Sequence, residues 1–290
     1  MIGIISDTMS DVPSEVLDRD FLAVVSGKVI IDEKEYRDGV EIKNEDVIDF
    51  MEKGGFPKTS LPSYGDIVNS FKTLIKKGYQ KIIAINVSSG LSGTYNMFRN
   101  VIKDLKKEHE NVEVELIDSK SVSVGSGLLV YKAVKMAEQN HEFPDIIESV
   151  KNSIGNKINI MYTIPTLKYL KAGGRIGKVS ATIGDFLNIK PVISVNSDGI
   201  YYTVCKERGV RKSVFTMFEK IKTWIENDPI DVIYIGRTDN TPETMELINE
   251  IRQKFHDLGF EKEKIKTDQI NPSLLCHTGK GLIGITVLKS

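Results

Sequence analysis

The first half of the chain alternates short hydrophobic, β-branched runs with segments of helical periodicity. Residues Lys81–Val87 are nearly all apolar, which is typical of a strand buried on both faces. Further strands are predicted at Ile2–Ser6, Leu22–Val25, Lys28–Ile31 and Val112–Ile117. Helices with apolar residues at i, i+3 and i+4 are predicted at Asn44–Lys53, Tyr64–Lys77, Thr94–Glu108 and Val124–Gln139. This alternation predicts a parallel sheet covered by helices.

The second half has a different pattern that indicates antiparallel pairing. A turn sequence at Asn196–Gly199 separates the strand patterns Lys190–Val195 and Ile200–Lys206, which predicts a hairpin. Further strands are predicted at Asn159–Ile164, Asp231–Gly236, Lys264–Ile270 and Leu282–Leu288, and helices at Pro144–Ile154, Val210–Glu226 and from Thr241 to near Gly259. We therefore predict an α/β protein with two α/β domains. Residues 1–156 form a parallel sheet flanked by helices, and residues 157–290 form a mixed sheet with helices.

Composition and charge narrow the class of function. The 290 residues include 40% hydrophobic and 27% charged residues, enough for a sizeable core and a solvated surface. The 39 Lys and Arg against 40 Asp and Glu give a net charge of −1, so we expect no nucleic-acid partner. No apolar run approaches the ~20 residues of a membrane-spanning helix, and the chain does not open with a secretory signal. We expect a cytoplasmic protein with no integral membrane segment.

A loop rich in glycine and hydroxyl groups, Ser88–Thr94, follows the predicted buried strand and precedes a helix. In a parallel sheet this loop lies at the carboxyl edge, where ligands bind. Gly90 and Gly93 permit a tight turn, and the N–H groups at the helix start carry a partial positive charge. The loop is therefore a candidate for binding a carboxylate or phosphate. An ordinary capped turn explains the same residues equally well.

Three other loops carry groups suited to an anion. Thr59 and Ser60 lie in a predicted exposed loop before a helix. His277 lies among glycines at a predicted strand edge, where it can donate to an anion or act as a base. Arg175 lies in a glycine-rich loop, and arginine binds carboxylate or phosphate through two parallel hydrogen bonds. Each loop alone is explained at least as well by an ordinary turn.

Enzyme motifs are incomplete in this sequence. The hydrolase motif G-x-S-x-G is approached around Ser92, but its second glycine comes one place early. An acyl hydrolase with Ser92 as nucleophile, His277 as base and Asp118 or Asp7 as the orienting acid is the alternative function. No complete phosphate-loop, dinucleotide or zinc-protease motif occurs, and the two cysteines form no C-x-x-C pair. We therefore expect no metal and no cofactor.

Taken together, these loops resemble the motifs of the DegV family of bacterial fatty-acid-binding proteins. The similarity runs in order over essentially the whole chain. The motifs are Ser6–Thr8, Thr59–Ser63, Ser88–Thr94, Asp118–Ser119, Gly173–Ile176, Leu187–Pro191 and His277–Gly281. Each motif is weak alone, whereas their order and spacing together are specific.

The resemblance implies a long-chain fatty acid, such as palmitate, in an apolar tunnel between the two domains. It implies that the carboxylate contacts Thr59 and Ser92. The expected head-group vicinity comprises Ser60, Gly93, Thr94, Arg175 and His277. It also implies a non-enzymatic carrier that presents its substrate to a separate ATP-dependent fatty acid kinase subunit, a role compatible with transient membrane contact.

Two positions depart from the family pattern. Leu61 stands where the family commonly has Gln, and Lys280 where it commonly has Pro. The first change would alter the lining near the head group, and the second would either loosen the histidine loop or add a positive charge beside His277. Neither change removes Thr59 or Ser92, so the expected carboxylate contacts are retained.

A fatty acid suits such a site on physical grounds. Burial of methylene groups gives roughly 0.8 kcal/mol each, so a ~16-carbon chain gains on the order of 10 kcal/mol before ordering costs. The head group then needs orientation more than strong charge pairing, and hydroxyl and N–H groups supply it without the desolvation cost of a buried ion pair. The sequence does not distinguish residues that line a tunnel from core residues.

Overall fold

A four-stranded parallel sheet lies at the centre of residues 1–156 in the computed structural model, which describes residues 1–182, 188–226 and 228–290. The strands of this half are β1 (Ile2–Asp7), β2 (Leu22–Val25), β3 (Lys28–Ile31), β4 (Lys34–Arg37), β5 (Lys58–Ser60), β6 (Lys81–Asn86) and β7 (Glu113–Asp118). The helices are α1 (Asn44–Glu52), α2 (Tyr64–Lys76), α3 (Thr94–Glu108), α4 (Val124–Glu138) and α5 (Phe143–Ser153). The strand order β2-β1-β6-β7, parallel throughout, confirms the predicted sheet.

A second, antiparallel sheet in this half was absent from the sequence prediction. It has the order β4-β3-β5, and Thr59 pairs with Val29 in it. The predicted exposed loop at Thr59 and Ser60 is therefore wrong, because both residues belong to β5. A strand of three residues is too short to show an alternating pattern. Thr59 is half-buried, whereas Ser60 is exposed.

Residues 157–290 form a six-stranded mixed sheet. Its strands are β8 (Ile158–Thr163), β9 (Ile189–Val195), β10 (Tyr201–Arg208), β11 (Ile230–Arg237), β12 (Ile265–Gln269) and β13 (Ile283–Lys289). The helices are α6 (Lys168–Ala172), α7 (Val210–Ile225), α8 (Pro242–Asp257) and α9 (Pro272–Thr278). In the order β10-β9-β8-β13-β11-β12, only β11 and β12 pair in parallel. The predicted mixed sheet and hairpin are confirmed, and the domain boundary at residues 156/157 stays a prediction.

Local sequence explains where several helices begin. Ser63 caps α2, because its hydroxyl accepts a hydrogen bond from the Asp66 N–H. Thr241 caps α8 in the same way, with Pro242 at the first helical position. Among the described residues, no helix is both long and apolar enough to cross a membrane.

Helix α9 was not predicted. The sequence places His277 among glycines at a strand edge, whereas the structure places it in the last turn of this helix. Every residue of α9 is buried, so the helix has no polar face and shows no amphipathic periodicity. The helix ends at Gly279, whose φ of +77° favours glycine.

One hydrophobic cluster joins the two halves of the chain. Val87, Leu91 and Val122 from the first half pack in the same cluster as Tyr162 and Leu274 from the second. The loop after β6 belongs to this contact, since the Ser88 hydroxyl donates to the carbonyl oxygen of Gly199 at 2.8 Å. The loop after β6 therefore lies at the contact between the two halves.

Candidate functional site

Two of the predicted site residues are in direct contact. Thr59 Oγ1 and His277 Nε2 share a hydrogen bond of 2.8 Å. Thr59 is held by its pairing with Val29 in the small sheet, and His277 by the last turn of α9. The structure thus brings together a hydroxyl and an imidazole that are 218 residues apart in the sequence.

His277 is buried as a neutral group. Its side chain is only 6% exposed, and burial, with a smaller effect from the charge of Arg175, lowers its pKa to about 4. Within the described part of the chain, its Nδ1 has no hydrogen-bond partner. Gly173 packs against that face of the ring, because a Cβ at this position would lie 2.4 Å from Nδ1. The ring is therefore a neutral group, with Nε2 bonded to Thr59 and Nδ1 covered by Gly173.

Arg175 brings positive charge to the same region. Its charge lowers the pKa of His277 and opposes the burial-driven rise in the pKa of Tyr201. Its guanidinium donates to the carbonyl oxygen of Gly173 at 2.6 Å, so it folds back on its own loop. This half-buried cation therefore adds positive charge near His277.

Ser92 lies at the start of α3. Its side chain is buried, and its Oγ is 2.9 Å from Thr94 Oγ1, which is also buried. The Thr94 N–H donates to the same oxygen at 3.3 Å. Ser92 lies one residue before Gly93, the N-cap of α3, and its hydroxyl satisfies the first N–H of the helix, where the helix start presents partial positive charge.

The segment after Thr59 and the segment after Ser92 contact each other through apolar atoms. The Leu61 Cδ1 atom lies 3.1 Å from the position that a Cβ on Gly93 would occupy. Leu61, one of the two departures from the family pattern, thus covers the start of α3.

Lys280, the other departure from the family pattern, points outward and forms a surface ion pair with Glu52 at 2.7 Å. Ser60 is exposed at the end of β5.

An apolar cavity lies against helix α9, the helix that also carries His277. Its volume is about 30 Å³. Leu274 and Thr278, on the same helix as His277, line it together with Ile160, Tyr162 and other residues of the shared core. Helix α9 therefore carries the polar contact and one wall of the cavity.

The contacts required by the hydrolase alternative are not found among the described residues. His277 bonds to Thr59, whereas Ser92 bonds to Thr94. Asp118 accepts from Ser89 and pairs with Lys120, and so does not orient His277. A hydrolase of this kind needs hydrogen bonds that link the nucleophile to the base and the base to the acid. These residues do not make such bonds.

Sequence reasoning missed two tyrosines in the cavity wall. Tyr162 and Tyr201 are both buried, and their rings stack edge to face at 5.7 Å. Burial raises the pKa of Tyr201 to about 12. Their positions in strands β8 and β10 resemble ordinary core positions, and only the fold shows that they face a cavity.

A group of buried carboxylates near the junction of the two halves was also not predicted from the sequence. Asp38 is fully buried, and one of its oxygens has no partner in the described part of the chain. Burial raises the pKa of Asp7 to about 6 and that of Asp11, in a neighbouring cavity, to about 8. Across residues 1–182, 188–226 and 228–290, no three acidic, histidine or cysteine side chains are placed to hold a metal ion.

Comparison with known proteins shows the family. The model of the DegV family, described as a family of uncharacterised proteins, matches residues 1–290. A DegV domain-containing protein of Clostridium acetobutylicum is 34% identical over 291 residues, covering 99% of each chain.

Solved structures share the fold over the whole chain. A fatty-acid-binding DegV family protein from Thermus thermophilus has a TM-score of 0.90 at 23% identity, covering 100% of this chain and 99% of that one. A stearic-acid-binding protein from Eubacterium ventriosum has a TM-score of 0.86 at 27% identity, covering 100% and 98%. The predicted α/β fold class, with a parallel sheet in the first half and a mixed sheet in the second, is therefore confirmed. The motif residue Leu187 lies outside the described residues.

Proposed function

This chain belongs to the DegV family, and from that premise we propose that it binds a long-chain fatty acid, with palmitate as a representative ligand. The relatives from Thermus thermophilus and Eubacterium ventriosum, a fatty-acid-binding and a stearic-acid-binding protein, support this ligand class. The protein acts as a carrier and catalyses no reaction of its own. The proposal extends the relatives' ligand to this chain.

The observation that carries the proposal is the double role of α9. His277 on this helix contacts Thr59, while Leu274, one turn earlier, and the adjacent Thr278 line the apolar cavity. A fatty acid needs both features side by side, since its carboxylate remains polar while its chain is driven into apolar surroundings. The carboxylate would lie among Thr59, Ser92 and the N–H groups at the start of α3.

Entry of an acyl chain requires the cavity to widen. At about 30 Å³ it holds about one or two water molecules, far less than a palmitoyl chain needs. Burial of methylene groups, at roughly 0.8 kcal/mol each, supplies free energy to separate the walls. The cavity wall contains Gly236 and Gly284, so backbone rather than side chains borders it at two points.

The experiment that tests this function is extraction of lipid from the purified protein, followed by mass spectrometry and by titration of lipid-free protein with palmitate. We expect a long-chain acyl species in the extract and saturable, stoichiometric binding. Absence of both a bound acyl chain and palmitate binding would reject the function.

We also propose that the loaded protein presents the carboxylate to a separate ATP-dependent fatty acid kinase subunit. Lys206 and Arg208 support a docking role, because both are exposed on one face of β10 and have no ion-pair partner among the described residues. Arg211, by contrast, is already paired with Glu250 at 2.7 Å. A pull-down of the kinase subunit should weaken with Arg208→Ala and not with Arg211→Ala.

A further inference from the structure

A cleft opens where β8 and β9 separate. The two strands pair only at Tyr162–Ile193 and Thr163–Val192. Beyond these pairs the ladder stops, and the Ser194 hydroxyl donates instead to the carbonyl oxygen of Ile160 at 2.6 Å. Strands that diverge in the middle of a sheet leave a gap that other atoms must fill.

The cleft is large enough to hold part of a ligand. Its volume is about 480 Å³. Leu129, Ile158 and Met161 give it apolar walls, while Ser194 and Tyr202 contribute polar groups. Apolar walls with a few polar groups are the usual form of a site for a small-molecule ligand.

A single residue separates the cleft from the apolar cavity. Ile160 borders both spaces, and it lies on the same face of β8 as Tyr162. Its side chain is nearly buried, at 8% exposed. Among the residues that the structure describes, no other borders both spaces, so the Ile160 side chain is the candidate wall between them.

The bare backbone of Gly125 keeps this wall thin. A Cβ on Gly125, in the first turn of α4, would lie 3.2 Å from Ile160 Cγ2 and 2.3 Å from Ser121 Oγ. No second side chain therefore fits behind Ile160. A rotation of the Ile160 side chain would connect the cavity with the cleft.

We propose that the cleft between β8 and β9 receives the distal end of a long acyl chain, and that Ile160 sets the chain length the protein prefers. This inference rests on the proposed fatty-acid binding, and it assigns the cleft as the second part of that site. With the carboxylate near Thr59 and His277, a short chain ends before Ile160. A longer chain displaces the Ile160 side chain and continues into the cleft.

The test is a competition series of laurate, palmitate, stearate and behenate against the parent protein and two variants. Ile160→Ala should shift the preference toward behenate, by about fourfold for each methylene that enters the cleft. Ile160→Phe should shift it toward laurate. Ile233→Ala is the matched control, since Ile233 is also a buried isoleucine of the same sheet but does not line either space. The control should leave the order of preference unchanged.

A second measurement does not depend on folding of the variants. Stearate with a photoreactive diazirine at its terminal carbon should label cleft residues such as Tyr202 or Trp224 in the parent protein. The corresponding laurate probe should label neither residue. If palmitate binds but the long probe labels only residues outside the cleft, or Ile160→Ala leaves the chain-length preference unchanged, the inference is wrong. If no fatty acid binds the parent protein, the proposed function itself fails.

Discussion

Thr59 Oγ1 and His277 Nε2 lie 2.8 Å apart although 218 residues separate them along the chain. The contact joins the small antiparallel sheet to helix α9, and α9 in turn borders the apolar cavity. The imidazole is neutral, so the pair offers hydrogen-bonding capacity without a buried ion pair. A carrier that must release its cargo benefits from ligands of this modest strength.

Removal of the proposed carboxylate contacts should weaken fatty-acid binding without unfolding the protein. Hydrogen bonds to charged groups contribute about 1.5–3 kcal/mol, so Thr59→Ala and Ser92→Ala should each raise the Kd for palmitate roughly tenfold or more. Thr59→Ser should retain most of the affinity. Isothermal titration calorimetry measures the change, and thermal unfolding checks the fold. The matched control is Thr73→Ala, because Thr73 is exposed on α2; equal losses in the control and in Thr59→Ala would contradict the assignment.

His277 should make the protein less stable in acid. Its folded-state pKa of about 4 lies below the ordinary value of 6.5, so the unfolded chain binds the extra proton between these values. The native state therefore loses up to about 1.4 kcal/mol per pH unit as the pH falls through this window. His277→Gln should remove that loss, so its stability relative to the parent should improve from pH 6.5 to pH 4 in urea unfolding. The exposed His141→Gln variant should show no such trend; a parallel trend in both would refute the role of burial.

Asp7 should have the opposite dependence on pH. Burial raises its folded-state pKa from 3.8 to about 6, so the native state holds the proton longer than the unfolded chain does. Stability associated with this proton is fully present below pH 3.8 and is lost as the pH rises toward 6. Asp7→Asn removes the titration, so the variant should gain stability relative to the parent by up to about 1.4 kcal/mol per pH unit over that window. Urea unfolding at several pH values measures this slope, and a constant difference between variant and parent would contradict it.

Much of the fold follows from local patterns, and the exceptions have physical causes. The buried strand β6 and the caps at Ser63 and Thr241 are visible in the sequence, because apolar runs and hydroxyl caps act locally. Strand β5 has only three residues, and α9 is buried all round, so neither shows a periodicity. The contact between Thr59 and His277 depends on both of these elements. The site could therefore be suspected from its residue types, whereas its geometry required the fold.

Gly173 should be essential for the position of His277. A Cβ there would lie 2.4 Å from His277 Nδ1. The backbone φ of −77° accepts any residue, so Gly173→Ala acts only through steric overlap with the ring. Displacement of the buried ring should cost about 1–3 kcal/mol of stability and weaken palmitate binding together with it. Gly65→Ala is the matched control, because the nearest atom to its Cβ is the Ser63 Oγ at 4.0 Å. Thermal unfolding and palmitate titration of the two variants measure both effects. A Gly173→Ala protein with parental stability and affinity would show that His277 tolerates displacement, and would remove the ring from the proposed head-group site.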